Sequence, residues 1–473
     1  MKTKSAVKSN FAFESCPLPS TGRGIKGEGW KCALAGTFVL SISLISFCAS
    51  AESLYLKNVI VHTVANGTIT NGGVLINGGK IEQVTNGKNP ERITADKTID
   101  LKGQHIFPGL IALDSALGLG EIEAVRATQD TTESGEGFTP DVQSWIAVNP
   151  DSEIIPVTRA NGITHAEPVP QGGVVAGLSG VVAFDGWTTE QMTIKKPAAL
   201  HVYWPAMELS VSPRGPRRGA PAGPGGPKSL DEQAKDRTLK LKAIDDFFME
   251  ARNYAKARAA LTNGAHDPGI NPPWEAMLPV VRGEIPLMIH ANELRQIKSA
   301  VKWAQSNHWN IVIVGARDAW QAADLLARNK IPVVYEAMWT QPTRDFDPYD
   351  VHFKAPEAMR KAGVTVAFSM GNGSFDLPQS KNLPYLAAQA VAFGLPENEA
   401  VKGMTLYPAQ MLGVADRLGS IEPGKEASLF VCDGSILDLR ANVTHLWIAG
   451  HEASLDSRHT RLFEKYKNRP VPK

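Results

Sequence analysis

The chain has 473 residues, of which 43% are hydrophobic and 21% are charged, and its formal net charge is +1. This composition is that of an ordinary globular protein, and the length suffices for more than one structural unit. The near-zero net charge gives no reason to expect a nucleic acid partner or an anionic membrane as a binding surface.

Residues 1–51 have the pattern of an export signal. Basic residues precede an apolar run over residues 32–47, and Ala49-Ser50-Ala51 offers a small-x-small cleavage site. The run is too short and too rich in serine for a membrane span. We therefore expect a signal peptide over residues 1–51 and an exported protein in the bacterial periplasm. The mature chain would keep only Cys432, so neither a disulfide framework nor a cysteine-based zinc cluster is expected.

Residues 52–104 are predicted to form β-hairpins. Short apolar runs there are separated by Asn66-Gly67, Asn71-Gly72 and Asn77-Gly78-Gly79. Asn-Gly pairs favour the left-handed backbone that tight hairpin turns require. The predicted strands are therefore short and mostly antiparallel.

A buried strand that ends in a loop is predicted next. Residues 105–113 are apolar on both sides of Pro108-Gly109, and small or polar residues follow from Asp114 to Gly118. An apolar run with such an ending is typical of a buried strand that leads into a functional loop. Alternate residues of a strand share a face, so Asp114 and Ala116 would point the same way.

Apolar runs alternate with helical patterns over much of the remaining chain. The predicted strands are residues 162–166, 286–291, 311–315, 332–336 and 364–369, and the predicted helices are residues 293–306, 319–328, 355–362 and 386–393. This alternation predicts a parallel sheet of the barrel type. The third and fourth strands of such a barrel cannot be placed from the sequence.

One segment interrupts the alternation. Residues 213–228 are rich in Gly, Pro and Arg, a composition that does not build a packed core. We interpret the segment as a flexible surface insertion, and the alternative is a basic lid over an acidic substrate. A long charged helix is predicted directly after it, over residues 230–261.

Three motifs resemble those of the metal-dependent amidohydrolase superfamily, in its imidazolonepropionase-like group. Residues 108–116 are similar to Pro-Gly-Leu-Ile-Asp-x-His-x-His, residues 405–409 to Thr-x-x-Pro-Ala, and residues 419–429 to Gly-x-Ile-x-x-Gly-Lys-x-Ala-Asp-Leu. The resemblance implies an α/β fold. This fold has a (β/α)8 TIM-like barrel over residues 105–415 and a small β-sandwich formed by the N-terminal residues 52–104 and the C-terminal residues 416–473.

The resemblance allows the metal positions of the family to be compared one at a time. His290 matches the histidine of strand five, whereas the two histidine positions of strand one hold Asp114 and Ala116. The strand-six histidine falls at Gly315 and the strand-eight aspartate at Gly371. His290 and Asp114 are therefore the candidate metal ligands and the candidate catalytic residues.

A catalytic zinc ion takes about three protein ligands, so a site built on His290 and Asp114 needs at least one further donor. The further candidates at predicted strand ends and in the first loop are His165, Glu336, Glu121 and Glu123. Carboxylates would also suit Mg or Mn. The alternative for each histidine is a hydrogen-bonded core residue, and the alternative for Asp114 is a loop cap. Residues 374–378, with Asp376, are interpreted as an ordinary loop.

Three functions remain open at this point, one of which is metal-free acid–base catalysis by Asp114, His290 and Glu336. The resemblance implies a hydrolase that acts on carbon–nitrogen bonds of non-peptide or small peptide-like substrates, by metal-assisted attack of water with one divalent ion, Zn or Mn. The loss of ligand positions supports a barrel without catalysis and without metal, which binds a ligand or a partner in the periplasm. We expect a small-molecule substrate or ligand, no nucleic acid, no transmembrane span and a homo-oligomer, the last because family members commonly associate.

Overall fold

A computed structural model describes residues 52–87, 93–133, 137–209, 228–261, 267 and 269–470. The predicted signal peptide and residues 213–227 of the predicted insertion lie outside these ranges. Within them, each helix falls short of the length and apolar character that a membrane span needs.

The strands of the described residues are short, as the turn-rich sequence predicts. They are β1 (Leu54–His62), β2 (Thr68–Asn77), β3 (Lys80–Asn86), β4 (Lys97–Asp100), β5 (His105–Pro108), β6 (Leu110–Ser115), β7 (Ile163–Pro168), β8 (Val175–Ala183), β9 (Thr193–Tyr203), β10 (Leu287–Ala291), β11 (Ile311–Gly315), β12 (Val333–Tyr335), β13 (Val366–Phe368), β14 (Leu429–Cys432), β15 (Val443–Ile448) and β16 (His451–Glu452). The five barrel strands predicted from the sequence are confirmed as β7 and β10 to β13.

The α-helices of the described residues lie mainly between barrel strands and after them. They are α1 (Ile154–Arg159), α2 (Thr189–Met192), α3 (Leu230–Ala260), α4 (Pro272–Val281), α5 (Leu294–Asn307), α6 (Ala323–Arg328), α7 (Val351–Ala362), α8 (Leu383–Ala392), α9 (Glu397–Met404), α10 (Leu406–Met411) and α11 (Arg458–Lys467). The predicted long helix is confirmed as α3, which begins at a capping box formed by Ser229 and Glu232.

The terminal sheet combines strands from both ends of the described chain. Its order is β16-β15-β14-β5-β1-β2-β3, and β4 also pairs with β1. The β2–β3 hairpin turns at Gly78 and Gly79, whose φ angles are +56° and +77°, as the Asn-Gly-Gly pattern predicts. Asn71-Gly72, expected to form a turn, instead lies inside β2, opposite an irregularity in the register of β1. A bulge absorbs the glycine there without ending the strand.

The boundary between the two sheets falls at Gly109. The sequence analysis assigns residues 105–108 to the barrel, and this assignment is wrong. β5 pairs with β1 and with β14, where Phe107 lies opposite Phe430. The barrel sheet begins at Leu110. Gly109 allows this change of sheet because its Cα lies against Thr164, where a side chain would not fit.

The barrel sheet has eight strands in sequential order, from β6 to β13. Its two edges approach each other where Ser369 Oγ donates a hydrogen bond of 2.8 Å to the carbonyl oxygen of Leu113 in β6. The sheet is therefore nearly closed, and the second sheet lies outside it.

One barrel strand departs from the expected parallel arrangement. β8 is antiparallel to both β7 and β9, whereas β6–β7 and the pairs from β9 to β13 are parallel. The connections over residues 169–174 and 184–192 are shorter than the dozen or more residues that a parallel crossover needs. The expectation of eight uniform β/α units is wrong at this strand.

Apolar side chains fill the inside of the barrel sheet at one end. Ile111, Met288 and Val312 belong to a buried cluster with Ala409 and Leu412, which come from α10 and the residue after it. Lys195 in β9 donates to the carbonyl oxygen of Leu412 at 2.7 Å, so α10 covers the end of the barrel where β9 begins. Polar side chains lie at the opposite end, where most of the strands finish.

Candidate metal centre

Three metal-ligating side chains converge at the carboxyl ends of three barrel strands. Asp114 lies in β6, His201 in β9 and His290 in β10. Their ligand atoms lie within 4.8 Å of one another. Among the described residues, these three side chains form the one group that is close enough together to hold a metal ion. The carboxyl ends of barrel strands are where active sites on this architecture lie.

The distances within the group are short, and the side chains are buried. His201 Nδ1 lies 3.1 Å from His290 Nε2, and His290 Nε2 lies 3.9 Å from Asp114 Oδ1. The side chain of His201 is 0% exposed, whereas that of His290 is 11% exposed. Solvent therefore reaches the group beside His290.

The backbone of Asp114 takes an unusual conformation. Its φ is +44°, in the left-handed region that aspartate tolerates better than most residues. The register of β6 against β7 shifts between Ala112 and Ser115, around this residue. Asn372 Nδ2 donates to Asp114 Oδ1 at 2.9 Å and also to the hydroxyl of Tyr203 at 3.2 Å. The Asp114 carboxylate is thus held by a partner that follows the last barrel strand.

Glu167 supports two members of the group. Its Oε1 accepts a hydrogen bond from Ser179 Oγ at 2.8 Å and lies 3.3 Å from His201 Nε2. Its Oε2 accepts from the backbone N–H of Asp114 at 3.2 Å. The residue is 1% exposed, so water contributes little to solvating its charge. Both Asp114 and His201 are therefore positioned by one buried carboxylate.

Tyr203 fixes the ring plane of His290. The two rings are stacked, with centroids 4.0 Å apart and planes 11° apart. The Tyr203 hydroxyl donates to the carbonyl oxygen of Pro170 at 3.4 Å. Burial, together with the nearby Asp114 carboxylate, raises the pKa of Tyr203 well above its usual value.

A second carboxyl group, Glu336, lies next to Asp114. Burial and the negative charge of Asp114 raise the pKa of Glu336 well above its usual value. Burial also disfavours the charged form of Asp114, but His290 and a hydrogen bond with Glu336 outweigh it and lower the pKa of Asp114. The pair therefore keeps one proton, which resides on Glu336.

The protonation state suits a metal ion. Burial lowers the pKa of His290 to about 4, so its ring is neutral at pH 7. Neutral imidazole and ionised carboxylate are the forms that bind divalent cations. Two nitrogen ligands about 2.0–2.1 Å from a zinc ion lie about 2.9–3.4 Å apart at tetrahedral to octahedral angles, and His201 and His290 are separated by 3.1 Å. The donor set fits one divalent ion with positions left for water and substrate.

The structure brings together some of the sequence-predicted residues and not others. Asp114 and His290 are in the group, and Glu336 is beside it. Glu121 and Glu123 are outside the group. His165 lies deeper in β7, where its Nδ1 is 2.8 Å from Thr164 Oγ1 and burial lowers its pKa to about 3. It is a core histidine, which was the alternative interpretation.

Other members of the site were missed in the sequence. His201 lies in β9, which could not be assigned from the sequence, and Glu167 lies in β7, one residue beyond the end of the predicted strand. The usable signal was the Leu-His-Val-Tyr run of β9, which has a histidine near a strand end, as in β10. Asp376, interpreted as part of an ordinary loop, is half-buried, and burial together with the Asp114 charge raises its pKa. That loop is therefore part of the surroundings of the site.

Comparison with known proteins finds similarity to amidohydrolases. Residues 349–453 match the model of the amidohydrolase family. The protein named amidohydrolase tasK from Hapsidospora irregularis is 22% identical over 403 residues, which cover 80% of this chain and 39% of that protein. An imidazolonepropionase of Brucella suis (strain ATCC 23445 / NCTC 10510) is 25% identical over 150 residues, which cover 32% of this chain and 36% of that protein. The chain thus spans less than half of the length of these curated relatives.

The whole architecture is shared with a solved structure. The crystal structure of an amidohydrolase from Thermotoga maritima MSB8 superposes with a TM-score of 0.72 and 28% sequence identity, over 85% of this chain and 99% of that chain. Coverage of this extent includes both the barrel and the terminal sheet. The carboxy-terminal family match, these relatives and this structure show that the chain is similar to amidohydrolases in sequence and in fold.

Proposed function

We propose that the protein is a hydrolase that cleaves carbon–nitrogen bonds in small, non-peptide or peptide-like substrates, with one divalent ion held by Asp114, His201 and His290. The observation that carries the proposal is the convergence of these three side chains. They supply the three protein ligands that a catalytic site needs. His201 supplies a third ligand in place of those that are missing from the family's metal positions in this sequence. Its presence weakens the argument for a barrel without catalysis.

The residues around the group have separate tasks in this proposal. A divalent ion at this place would polarise a substrate carbonyl and lower the pKa of water, so that attack becomes feasible at neutral pH. Glu336 keeps a proton beside Asp114, and its buried Oε1 has no hydrogen-bond partner among the described residues. Glu336 can therefore deliver a proton to the leaving nitrogen as a general acid. Asn372 and Glu167 hold Asp114 in place, and Tyr203 holds the ring of His290.

Metal binding tests the proposal directly. We expect the purified protein to contain about one divalent ion per chain, and added Zn or Mn to raise the melting temperature of the chelated protein. Asp114→Asn should abolish this rise and also amide hydrolysis, because asparagine tolerates the left-handed backbone but lacks the charge. His290→Ala should have the same effect.

A buried histidine outside the site provides the control. His352 is 3% exposed and lies 3.0 Å from the Tyr335 hydroxyl through its Nδ1. His352→Asn should leave the metal content unchanged, even where it lowers stability. A protein that neither co-purifies with metal nor is stabilised by it would instead be a metal-free binding barrel.

A further inference from the structure

Helix α11 exposes an apolar face that no described element covers. Leu462, Phe463 and Tyr466 are 38%, 63% and 56% exposed, and the helix has no buried residue. At 100° per residue these three side chains occupy an arc of about 100° on one side of the helix, and His459 lies on the same side one turn earlier. A surface helix of a globular protein normally buries such an arc against the core.

Basic residues flank the apolar arc. Lys467 lies beside it on one edge, and Arg458 and Lys465 lie beside it on the other, all within about 60° of the arc. Glu464 lies on the opposite side of the helix. Leucine and aromatic residues on one face with lysine and arginine at its edges are typical of helices that lie in the plane of a membrane surface.

The attachment of α11 to the body leaves this arc facing outwards. Arg461 Nη2 lies 3.1 Å and 3.0 Å from the two carboxylate oxygens of Glu153. Arg461 points about 150° away from the centre of the apolar arc. Ser457 and Thr460 form a capping box that starts the helix, so the helix has its own local stabilisation and does not depend on burial of the arc.

The charge of this segment differs from that of the chain as a whole. Residues 458–469 contain five lysines and arginines and one glutamate, although the formal net charge of the chain is only +1. Lys465 Nζ lies 5.3 Å from the ring centre of Tyr466, and Lys467 Nζ lies 5.5 Å from that of Phe463. The ammonium groups thus lie next to the aromatic rings. A lipid surface that contacts the rings would also bring its phosphates close to the ammonium groups.

We propose that α11 binds the surface of an anionic lipid bilayer, with Leu462, Phe463 and Tyr466 at the boundary of the acyl chains and the basic side chains at the headgroups. Two observations support a lipid surface as the binding partner. The basic side chains complement its negative charge, and the apolar arc faces outwards. An acidic protein or a nucleic acid would satisfy the charges but would leave the apolar arc in water. The inference does not depend on the hydrolase function.

Vesicle binding of the whole chain tests this surface. At low ionic strength we expect the protein to sediment with phosphatidylcholine vesicles that contain phosphatidylglycerol about tenfold more readily than with phosphatidylcholine alone, and salt should weaken the binding. The double variant Lys465→Gln/Lys467→Gln should lose about twentyfold, since each basic residue near the surface contributes about fivefold. Leu462→Ser/Phe463→Ser should lose about tenfold.

The controls separate lipid from other occupants. Leu439→Ser removes an apolar side chain that is 71% exposed elsewhere and should not change vesicle binding. None of the α11 variants removes a buried side chain, so all of them should fold. Equal sedimentation with both vesicle types, or full binding by Leu462→Ser/Phe463→Ser, would overturn the proposal. A dimer that this variant dissociates in the absence of lipid would assign the face to a second copy instead.

Discussion

Glu167 holds two of the three proposed metal ligands in place, although it is not a member of the ligand group. It contacts the imidazole of His201 and the backbone N–H of Asp114 with different oxygens. Carboxylates behind metal-ligating histidines orient the ring and make it a stronger donor. Here the same carboxylate also restrains the left-handed turn at Asp114.

Glu167→Gln should therefore weaken metal binding. We expect the dissociation constant for Zn or Mn to rise about 10-fold to 100-fold, because the amide removes a charge that favours the ion and disturbs both ligands. Titration calorimetry on the chelated protein measures this change without reference to activity.

A second buried glutamate, outside the ligand group, serves as the control for Glu167→Gln. Glu357 in α7 pairs with Arg360 at 2.7 Å and is only 8% exposed, so Glu357→Gln changes the same chemical group far from the ligands. Its metal affinity should equal that of the unmodified protein. If both variants bind metal equally well, Glu167 has no positioning role.

Two residues of the site could be predicted from the sequence. Asp114 and His290 stand in stretches that resemble metal-binding motifs of the family, and this resemblance placed them at strand ends. Glu167 and His201 have no such motif. Glu167 meets His201 through the pairing of distant strands, and Ser179 in β8 supports Glu167 there. No local pattern encodes these contacts.

At the scale of elements, the reversed strand β8 explains the least predictable part of the fold. The sequence lacks the helices that would separate parallel strands here, and α2 has only four residues. β8 and β9 were therefore not recognised as members of the barrel, whereas β7 was. The barrel strands β10 to β13 were predictable because each is followed by a helical pattern in the sequence.

The junction between the two sheets gives a test at this scale. A methyl group on Gly109 would lie 2.0 Å from Thr164 Oγ1 and 2.8 Å from Thr164 Cβ, so a change of rotamer cannot relieve the clash. Gly109→Ala should lower the free energy of unfolding by about 1–3 kcal/mol. Urea denaturation measures this loss.

The matched glycine for this test is Gly434. A methyl group there would meet Ala441 at 3.5 Å, which is an ordinary contact, and Gly434 does not have a positive φ. Gly434→Ala should change stability by less than the Gly109 variant. Equal stability of the two variants would show that the junction tolerates a side chain.

At the scale of the whole molecule, buried neutral histidines make stability depend on acidity. Burial lowers the pKa of His62 to about 4 and that of His165 to about 3, from a usual value of 6.5. Between pH 6.5 and those values the unfolded chain binds protons that the folded chain does not. These histidines therefore do not lower the free energy of unfolding above pH 6.5. Below that pH the free energy of unfolding decreases by about 1.4 kcal/mol per pH unit for each such histidine.

His165→Asn should reduce this dependence by one proton. We expect the variant to start from a lower stability at pH 7, because it removes a buried ring. Its loss of stability between pH 6 and pH 4.5 should be smaller than in the unmodified protein by about 1.4 kcal/mol per pH unit. Urea unfolding at several pH values gives the slope. Parallel curves for the two proteins would contradict a buried neutral His165.

The arrangement of the terminal sheet was predictable because motifs at both ends of the chain pointed to it. Residues 105–108 and 429–432 meet as β5 and β14, with Phe107 opposite Phe430. The sequence did not show which sheet residues 105–108 belong to. Both sides of Pro108-Gly109 are apolar, and an apolar strand can be buried in either sheet.

The place of β14 in that sheet has a consequence for synthesis. β14 lies between β5 and β15, so a growing polypeptide that has already emerged from the ribosome as far as the barrel still carries an open, apolar edge along β5. Such an edge invites pairing with other chains. The protein must therefore stay shielded from its neighbours until its last strands have been made, and a chain cut short before residue 429 should aggregate even with the barrel sequence intact.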